Sequence, residues 1–363
     1  MGWKEREKVK LSDRLEFLYG FSVRVNEENE GEYPVYGSNG ITGFIDNYKI
    51  NGPGIVIGRK GSVGKVSFSK NHFTPTDTAY YVQIKDNTKD DLKFWFYYLP
   101  LLGLEKLNTH SSVPGLSREI AYLIEVNPPN LPTQTAIARV LSSLDDKIEI
   151  NNKINKELEN MAKTIYDYWF VQNADKRWER KSLFDIATFS NGLACQKFRS
   201  KGKEFYRVIK IKEMRDGFTK DTELVDTDIP KNVIVNDGDI LFSWSASLEV
   251  MIWAGGIGGL NQHIFKVTSD KYPKSFVYFQ LLHYLNRFRA IANNRRTTMG
   301  HITTDHLKQS EIHIPPPKII MQVDKAVSPL FSAIIKNRQE NICLAQQRDF
   351  LLPLLMGGEV GVG

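Results

Sequence analysis

The sequence is written twice, and that duplication restricts the possible folds more than any other feature. A fixed internal period settles the architecture before any motif is weighed. Shifting the 363-residue chain against itself by 184 positions sets GPGIVIGRKGSVGKV, from Gly52, over DGDILFSWSASLEV, from Asp237, so that Gly54 falls on Gly238. The same shift sets Asp77 on Asn261, and a shift of 186 sets Leu116 on Ile302 and Glu125 on Glu311. Each half opens on tryptophan and charge, WKERE at Trp3 and WERKS at Trp178. Few identities survive while order and pattern hold, as expected of an old duplication.

Each half closes on a long helix. From Thr135 to Phe170 there is no proline or glycine, and seam residues recur at alternating steps of four and three. They are Ile137, Leu141, Leu144, Ile148, Asn151, Asn155, Leu158, Ala162, Ile165 and Trp169. Adding 186 gives Val323, Val327, Leu330, Ile334, Asn337, Asn341, Leu344, Arg348, Leu351 and Leu355. A sustained 3.5-residue repeat predicts a narrow helix–helix seam, and 36 residues make a rod of roughly 54 Å. Antiparallel pairing brings Asn151 to Asn341 and Asn155 to Asn337, where their amides can bond and penalise every other register. Parallel pairing also matches asparagine with asparagine, and a local stutter would turn them to solvent. The antiparallel choice rests on connectivity: each rod follows a globular segment, and the segment between the rods must travel back. That arrangement puts one globular segment at each end.

The expected division is a first globular domain at 1–131, a central helix at 132–175, a second globular domain at 176–317 and a distal helix at 318–363. Short β-branched runs (GIVIGRK, TAYYVQI; DILFSW, HIFKV) followed by helical stretches read as α+β, with a curved, mostly antiparallel sheet in each domain. Proline-rich hinges, NPPNLP at Asn127 and IPPPK at Ile314, hand over to the helices. Apolar residues at 41% and charged residues at 25% describe a chain able to bury real cores. The longest apolar run, at Phe94–Leu104, contains a proline and is too short to span a bilayer. The first ten residues lack the apolar core of a signal peptide, and Cys195 and Cys343 suggest neither disulfide nor zinc. A cytosolic chain with no membrane association is expected. The net charge of +6 is uneven: residues 1–130 carry 16 cations and 16 anions, whereas residues 176–318 carry 23 and 15. A basic block of that size hints at a polyanionic partner.

Motifs for catalysis fall short. NPPN at Asn127–Asn130 lacks the aromatic fourth residue with which amino-methyltransferases stack a flipped base, and no glycine-rich S-adenosylmethionine motif precedes it. GSVGK at Gly61 has Val66 where a phosphate loop needs a magnesium-binding hydroxyl, GGIGG at Gly255 reads as a bend, and the histidines form no zinc spacing. No catalytic residue, metal site or cofactor site is assigned. What remains is binding. In the first domain the candidates are the turn with Tyr36, Ser38 and Asn39, the glycine-rich tip with Arg59, Lys60, Ser62 and Lys65, and the loop with His110, Ser111 and Ser112. In the second they are Lys210 and Lys212, then Ser243, Trp244 and Ser245, then Arg295, Arg296 and Thr297. Cations, hydroxyls and close-approaching glycines suit phosphates and base edges. The bland alternatives are a solvated hairpin turn and a solvated helix end.

LPTQTAIARVLSSLDDKIEINNKINKELENMAKTIYDYWF resembles the central conserved region of specificity subunits of type I restriction-modification systems. QRDFLLPLLMGGEV resembles the end of their distal region, departing from it with Arg348 in the seam. The resemblance implies two target-recognition domains on an antiparallel coiled coil, each reading one half of a split, asymmetric site in double-stranded DNA. It also implies docking of two methyltransferase subunits and of restriction/translocase subunits, with S-adenosylmethionine, ATP and magnesium on those partners and no cofactor in this chain. A rod of roughly 54 Å is about one and a half turns of B-DNA. The alternative is a coiled-coil scaffold for partner enzymes that binds no DNA.

Overall fold

The computed structural model describes residues 8–24, 31–107, 115–200, 202–293 and 301–362. The chain divides into two compact units, Met1–Asp146 with Ala345–Gly363, and Lys147–Leu344. These units cut across the expected boundaries, because each takes one globular segment together with part of both long helices.

In the first unit the strands are β1 (Val9–Lys10), β2 (Leu15–Tyr19), β3 (Tyr33–Gly37), β4 (Gly40–Ile45), β5 (Gly54–Gly58), β6 (Val66–Ser69), β7 (Thr74–Pro75), β8 (Ala79–Ile84) and β9 (Glu125–Val126). They form an antiparallel sheet in the order β2-β8-β5-β6, a second sheet β4-β3-β7, and a ribbon β1-β9. Helices α1 (Leu11–Arg14), α2 (Leu92–Tyr98), α3 (Arg118–Ala121), the first part of α4 (Leu131–Asp167) and the end of the last helix, from Ala345, also belong to it. The second unit has β10 (Glu179–Ser182), β11 (Thr188–Asn191), β12 (Phe205–Ile209), β13 (Leu224–Asp226), β14 (Ile234–Val235), β15 (Ile240–Ser243), β16 (Glu249–Ile252), β17 (Gly258–Leu260), β18 (Ile264–Thr268) and β19 (Glu311–Ile314). Its helices are the rest of α4, α5 (Leu183–Ile186), α6 (Ile211–Asp216), α7 (Lys274–Asn293), α8 (Thr304–Lys308) and most of α9 (Pro317–Gly357). Here the sheets run β11-β18-β15-β16 and β13-β12-β17-β14, with the ribbon β10-β19. The order repeats that of the first unit with β14 added at one edge, and among the described strands the parallel pair recurs as β3–β7 and β12–β17. Each half thus has two sheets where the sequence suggested one.

The two-sheet arrangement explains the uninterrupted apolar runs. A strand buried on both faces has no polar alternation to show. In β5, Ile55 and Ile57 join the core under α2 with Phe94 and Trp95, while Val56 faces the other way onto Tyr36, Phe73 and Ala79. In β15, Ile240 and Phe242 pack with Phe276 and Phe288 of α7, while Leu241 turns to Val208, Trp253 and Leu260. The edge strand β2 shows the ordinary alternation, with Leu15 and Phe17 inside and Glu16 out.

The proline-rich hinges cap helices. Asn130 Oδ1 accepts the Thr133 amide at 3.1 Å at the start of α4, and buried Gln134 donates to the Pro129 carbonyl at 2.7 Å. Both long helices lay their seam residues inward, every one buried or half-buried. Within the second unit α4 and α9 run antiparallel. Asn151 Nδ2 donates to Asn341 Oδ1 at 2.9 Å and to Glu340 Oε2 at 2.8 Å, and Asn337 Nδ2 donates to Asn155 Oδ1 at 2.8 Å. Asn341 Nδ2 in turn reaches Asn152 Oδ1. Beyond these amides the seam turns apolar, with Ala162, Val323, Val327 and Ile334 packed against Phe279 of α7. Within the first unit Ile137 and Leu141 meet Leu351, Leu352 and Leu355. The seam arginine is satisfied there: Arg348 Nη1 donates to Asp145 Oδ1 at 2.7 Å, and Tyr97 donates to Asp145 Oδ2 at 2.5 Å. Burial, and then that bond to Asp145, hold the Tyr97 hydroxyl protonated far above the ordinary phenol range.

Asn151→Leu alone leaves the Asn341 carbonyl oxygen facing a methyl group and is expected to cost about 1–3 kcal/mol. Asn151→Leu with Asn341→Leu should lose less than the two single losses combined, because two leucines pack well in a seam. Denaturant titration of the four proteins reads the coupling, and simple additivity would refute it.

Candidate nucleic-acid interface

In the first unit the turn between β3 and β4 and the hairpin between β5 and β6 lie together. Gly58, at the root of the hairpin, has no room for a side chain: a Cβ there would stand 2.1 Å from the Ser62 carbonyl oxygen and 2.6 Å from that of Ser38. Gly64 has φ of +75° and backs onto the Glu105 amide. These glycines serve close approach within the chain itself, which accounts for the phosphate-loop look of GSVGK without a ligand. Lys65 Nζ ties the two turns by donating to the Asn39 carbonyl at 2.9 Å and to Asn39 Oδ1 at 2.8 Å. Asn39, Lys60 and Lys65 are exposed, and Ser38 and Ser62 are half-buried.

Arg59, the first residue past β5, is half-buried and held by its own chain. Its Nε and Nη2 donate to the Asp77 carbonyl at 3.2 and 2.6 Å, and its guanidinium lies 5.1 Å from the ring of Tyr19 and 5.8 Å from that of Tyr80. A second guanidinium, of Arg118 on α3, sits 4.8 Å from the same Tyr19 ring. Arg118 is anchored to the Phe17 carbonyl and to Glu119, whose bond raises its already high pKa. Burial pushes the Tyr80 hydroxyl up to about 12, and it donates to the Leu116 carbonyl at 3.1 Å. The Leu116 amide returns a bond to the Arg59 carbonyl at 2.9 Å, and Lys60 bridges to Gly115. Ser111 and Ser112, with His110, lie outside the described residues, in the stretch that ends at this bridge.

The second unit repeats the construction. Trp244 follows β15 as Arg59 follows β5, and its carbonyl accepts the Ile302 amide at 2.8 Å. Ser245 bridges to His301 as Lys60 does to Gly115. Arg295, Arg296 and Thr297 lie outside the described residues, in the stretch that ends at this second bridge. Arg59 and Trp244, and Lys60 and Ser245, therefore occupy equivalent places on one scaffold. Trp244 is half-buried among His263, Phe265 and His301, and its indole N–H donates to Asn191 Oδ1 at 3.0 Å. Lys210 caps α6 and pairs with Glu223, while Lys212 is exposed on that helix.

Three of the expected contact residues are turned inward in this structure rather than toward the surface. Tyr36 is 6% exposed, packs on Phe73 and donates its hydroxyl to the Phe68 carbonyl. Ser243 is 0% exposed, donating to Ser247 and accepting the Glu249 amide at 2.8 Å. Ser245 is 7% exposed, with its hydroxyl 3.3 Å from His263 Nδ1. These three hydroxyls are bonded inside the fold, that of Ser243 within its own hairpin and those of Tyr36 and Ser245 to distant residues. Tyr19, Arg118 and Asn191 escaped the sequence reading, since their partners lie tens of residues away along the chain and meet them only in the fold. Among the described residues no group of three His, Cys, Asp or Glu side chains could hold a metal, and no helix is long and apolar enough to cross a membrane.

A sequence model of the type I restriction modification DNA specificity domain matches residues 4–160 and again 175–343. The chain is 24% identical over 344 residues to the type I restriction enzyme MjaIX specificity subunit of Methanocaldococcus jannaschii, covering 85% of this chain and 78% of that protein. It is 22% identical over 332 residues to the HindI specificity subunit of Haemophilus influenzae, covering 68% and 71%. Among solved structures, the S subunit of the type I restriction-modification system of M. genitalium superposes with a TM-score of 0.64, over 97% of this chain and 96% of that one, at 15% identity. That likeness shows a shared fold.

The geometry at Gly58 has a direct consequence. Gly58→Ala is expected to lower the stability of the first unit by about 2–3 kcal/mol, because the new methyl group meets backbone that cannot yield. A thermal melt compares it with Gly357→Ala, at the end of α9 in the same unit, where the nearest atom is the Glu359 carboxylate at 3.7 Å. Both positions tolerating alanine equally would contradict the packing argument.

Proposed function

This chain belongs to the type I restriction modification DNA specificity family, and from that premise we propose that it is the non-catalytic, DNA-recognising subunit of a type I restriction-modification enzyme. The observation that carries the proposal is the double match, one specificity domain per half, each half bearing its own loop cluster at an equivalent place on a repeated scaffold. Each domain reads one part of a split, asymmetric site in double-stranded DNA. The site is asymmetric because the two clusters differ in chemistry. Ser38, Asn39, Arg59, Lys60, Ser62, Lys65, Ser111 and Ser112 serve the first part. Lys210, Lys212, Trp244, Arg295, Arg296 and Thr297 serve the second. The long helices dock two methyltransferase subunits, and restriction/translocase subunits complete the enzyme. S-adenosylmethionine, ATP and magnesium belong to those partners, and the assembly works in the cytoplasm.

Physical chemistry supports a division of labour within each cluster. Lysines such as Lys60 and Lys212 are point charges suited to phosphate, which sets affinity and salt dependence. Stacked arginines and amides suit base edges, which set sequence. A coiled-coil scaffold indifferent to DNA would need neither.

Two measurements test this. With its methyltransferase partners present, the chain is expected to bind one duplex sequence at least 1,000-fold more tightly than random DNA. Equal affinity for all duplexes would favour the scaffold. Replacing Lys212 with glutamine should reduce the slope of log affinity against log salt by about 1 and leave the preferred sequence unchanged. An unchanged slope would remove Lys212 from phosphate contact.

A further inference from the structure

Superposing the two halves strand by strand exposes a pair of positions at which the scaffold is the same and the chemistry is exchanged. One is the last residue of the edge strand: Tyr19 in β2 stands opposite Tyr80, and Asn191 in β11 stands opposite Phe265. Tyr80 and Phe265 are themselves equivalent, since each lies opposite the residue two before Arg59 or Trp244, namely Ile57 or Phe242. The other is the residue that follows the central strand, Arg59 or Trp244, whose carbonyl in each half accepts the amide of Leu116 or Ile302. In both halves the two positions touch. In the first half the contact is a guanidinium over a phenol ring, and in the second it is an indole N–H bonded to an amide oxygen.

We propose that this contacting pair, Tyr19–Arg59 with Arg118 in the first half and Asn191–Trp244 in the second, sets the base preference of its own half of the DNA site. The inference rests on the DNA-recognition reading above and narrows it to residues, three of which no sequence motif marks. Tyr19 is 48% exposed, yet two arginines converge on its ring, each already anchored to a backbone carbonyl. A guanidinium fixed by a carbonyl and a ring loses little freedom on binding, and its remaining N–H groups are suited to guanine or phosphate. In the second half the Trp244 bond settles which end of the Asn191 amide is engaged. The oxygen is held by the indole, leaving the amide N–H groups as the available donors of an exposed residue. Asn191 therefore offers a neutral donor to a base acceptor. The exchange runs against the overall charge: the electrically balanced segment carries the paired arginines, while the segment with the large cationic excess carries the uncharged pair.

The test maps methylated sites across a genome with the full chain and its methyltransferase partners. Tyr19→Leu is expected to relax or change base identity in one half of the site only, with affinity for the original site falling roughly tenfold. Arg118→Gln is expected to act on the same half. It is the second variant for that half, since α3 is exposed around Glu119 and Ile120 and tolerates the change. Asn191→Leu and Asn191→Asp should alter only the other half, the aspartate more severely because it replaces a donor with an acceptor. Variants that keep the wild-type site at wild-type affinity, or that alter both halves alike, would overturn the assignment while leaving DNA recognition intact. A wild-type complex that modifies no defined sequence would overturn the recognition reading and this inference together.

Discussion

Two long helices can pair in several registers if leucine and isoleucine alone line the seam, since one apolar layer resembles the next. The asparagines remove that freedom. In the observed register Asn151 meets Asn341 and Asn155 meets Asn337. Sliding one helix by a heptad sets Asn151 against Ile334, Asn155 against Leu330, Asn337 against Ile148 and Asn341 against Leu144. Four amides would then lie against apolar side chains, at about 1–3 kcal/mol for each unmet group. The penalty falls on the wrong registers and spares the right one, the best-attested use of a polar seam residue. The globular segments depend on this register, because each core closes on seam residues: Ile137 and Leu141 in the first unit, Val323 and Val327 in the second.

On that frame a single domain plan is used twice and finished differently. Both halves keep the antiparallel sheet, the mixed sheet and the ribbon in the same order. Both also keep the bridge that ends the stretch after the central hairpin, Lys60 to Gly115 and Ser245 to His301. What changes is the side-chain chemistry at the points where strands end. Duplication supplies the geometry, and substitution at a few exposed positions is enough to make the halves chemically distinct.

The repeat, the heptad seams and the asparagine pairs were legible because each is a local or periodic signal. The seam arginine was visible as a departure from the pattern, but its partner Asp145 was not, since only the fold places Tyr97 and Asp145 beside it. The α+β character was legible from the apolar runs, whereas two sheets per half could not be told from one, because a strand buried on both faces and a strand in a curved sheet read alike. At the candidate interface the loops were found from glycines, hydroxyls and cations. Those same signals also marked Tyr36, Ser243 and Ser245, whose hydroxyls are bonded inside the fold, to Phe68, Ser247 and His263. Tyr19 and Asn191 were silent because a strand end acquires its neighbours only by pairing.

The central claim is that equivalent places on a repeated scaffold carry the two halves of a recognition code. A chain in which residues 176–317 replace residues 1–131, so that both globular segments are the second one, tests it most directly. Assembled with its methyltransferase partners, it is predicted to modify a site in which the bases read by the second segment appear in both halves and those read by the first are gone. A complex that assembles yet still modifies the original asymmetric site would contradict the account.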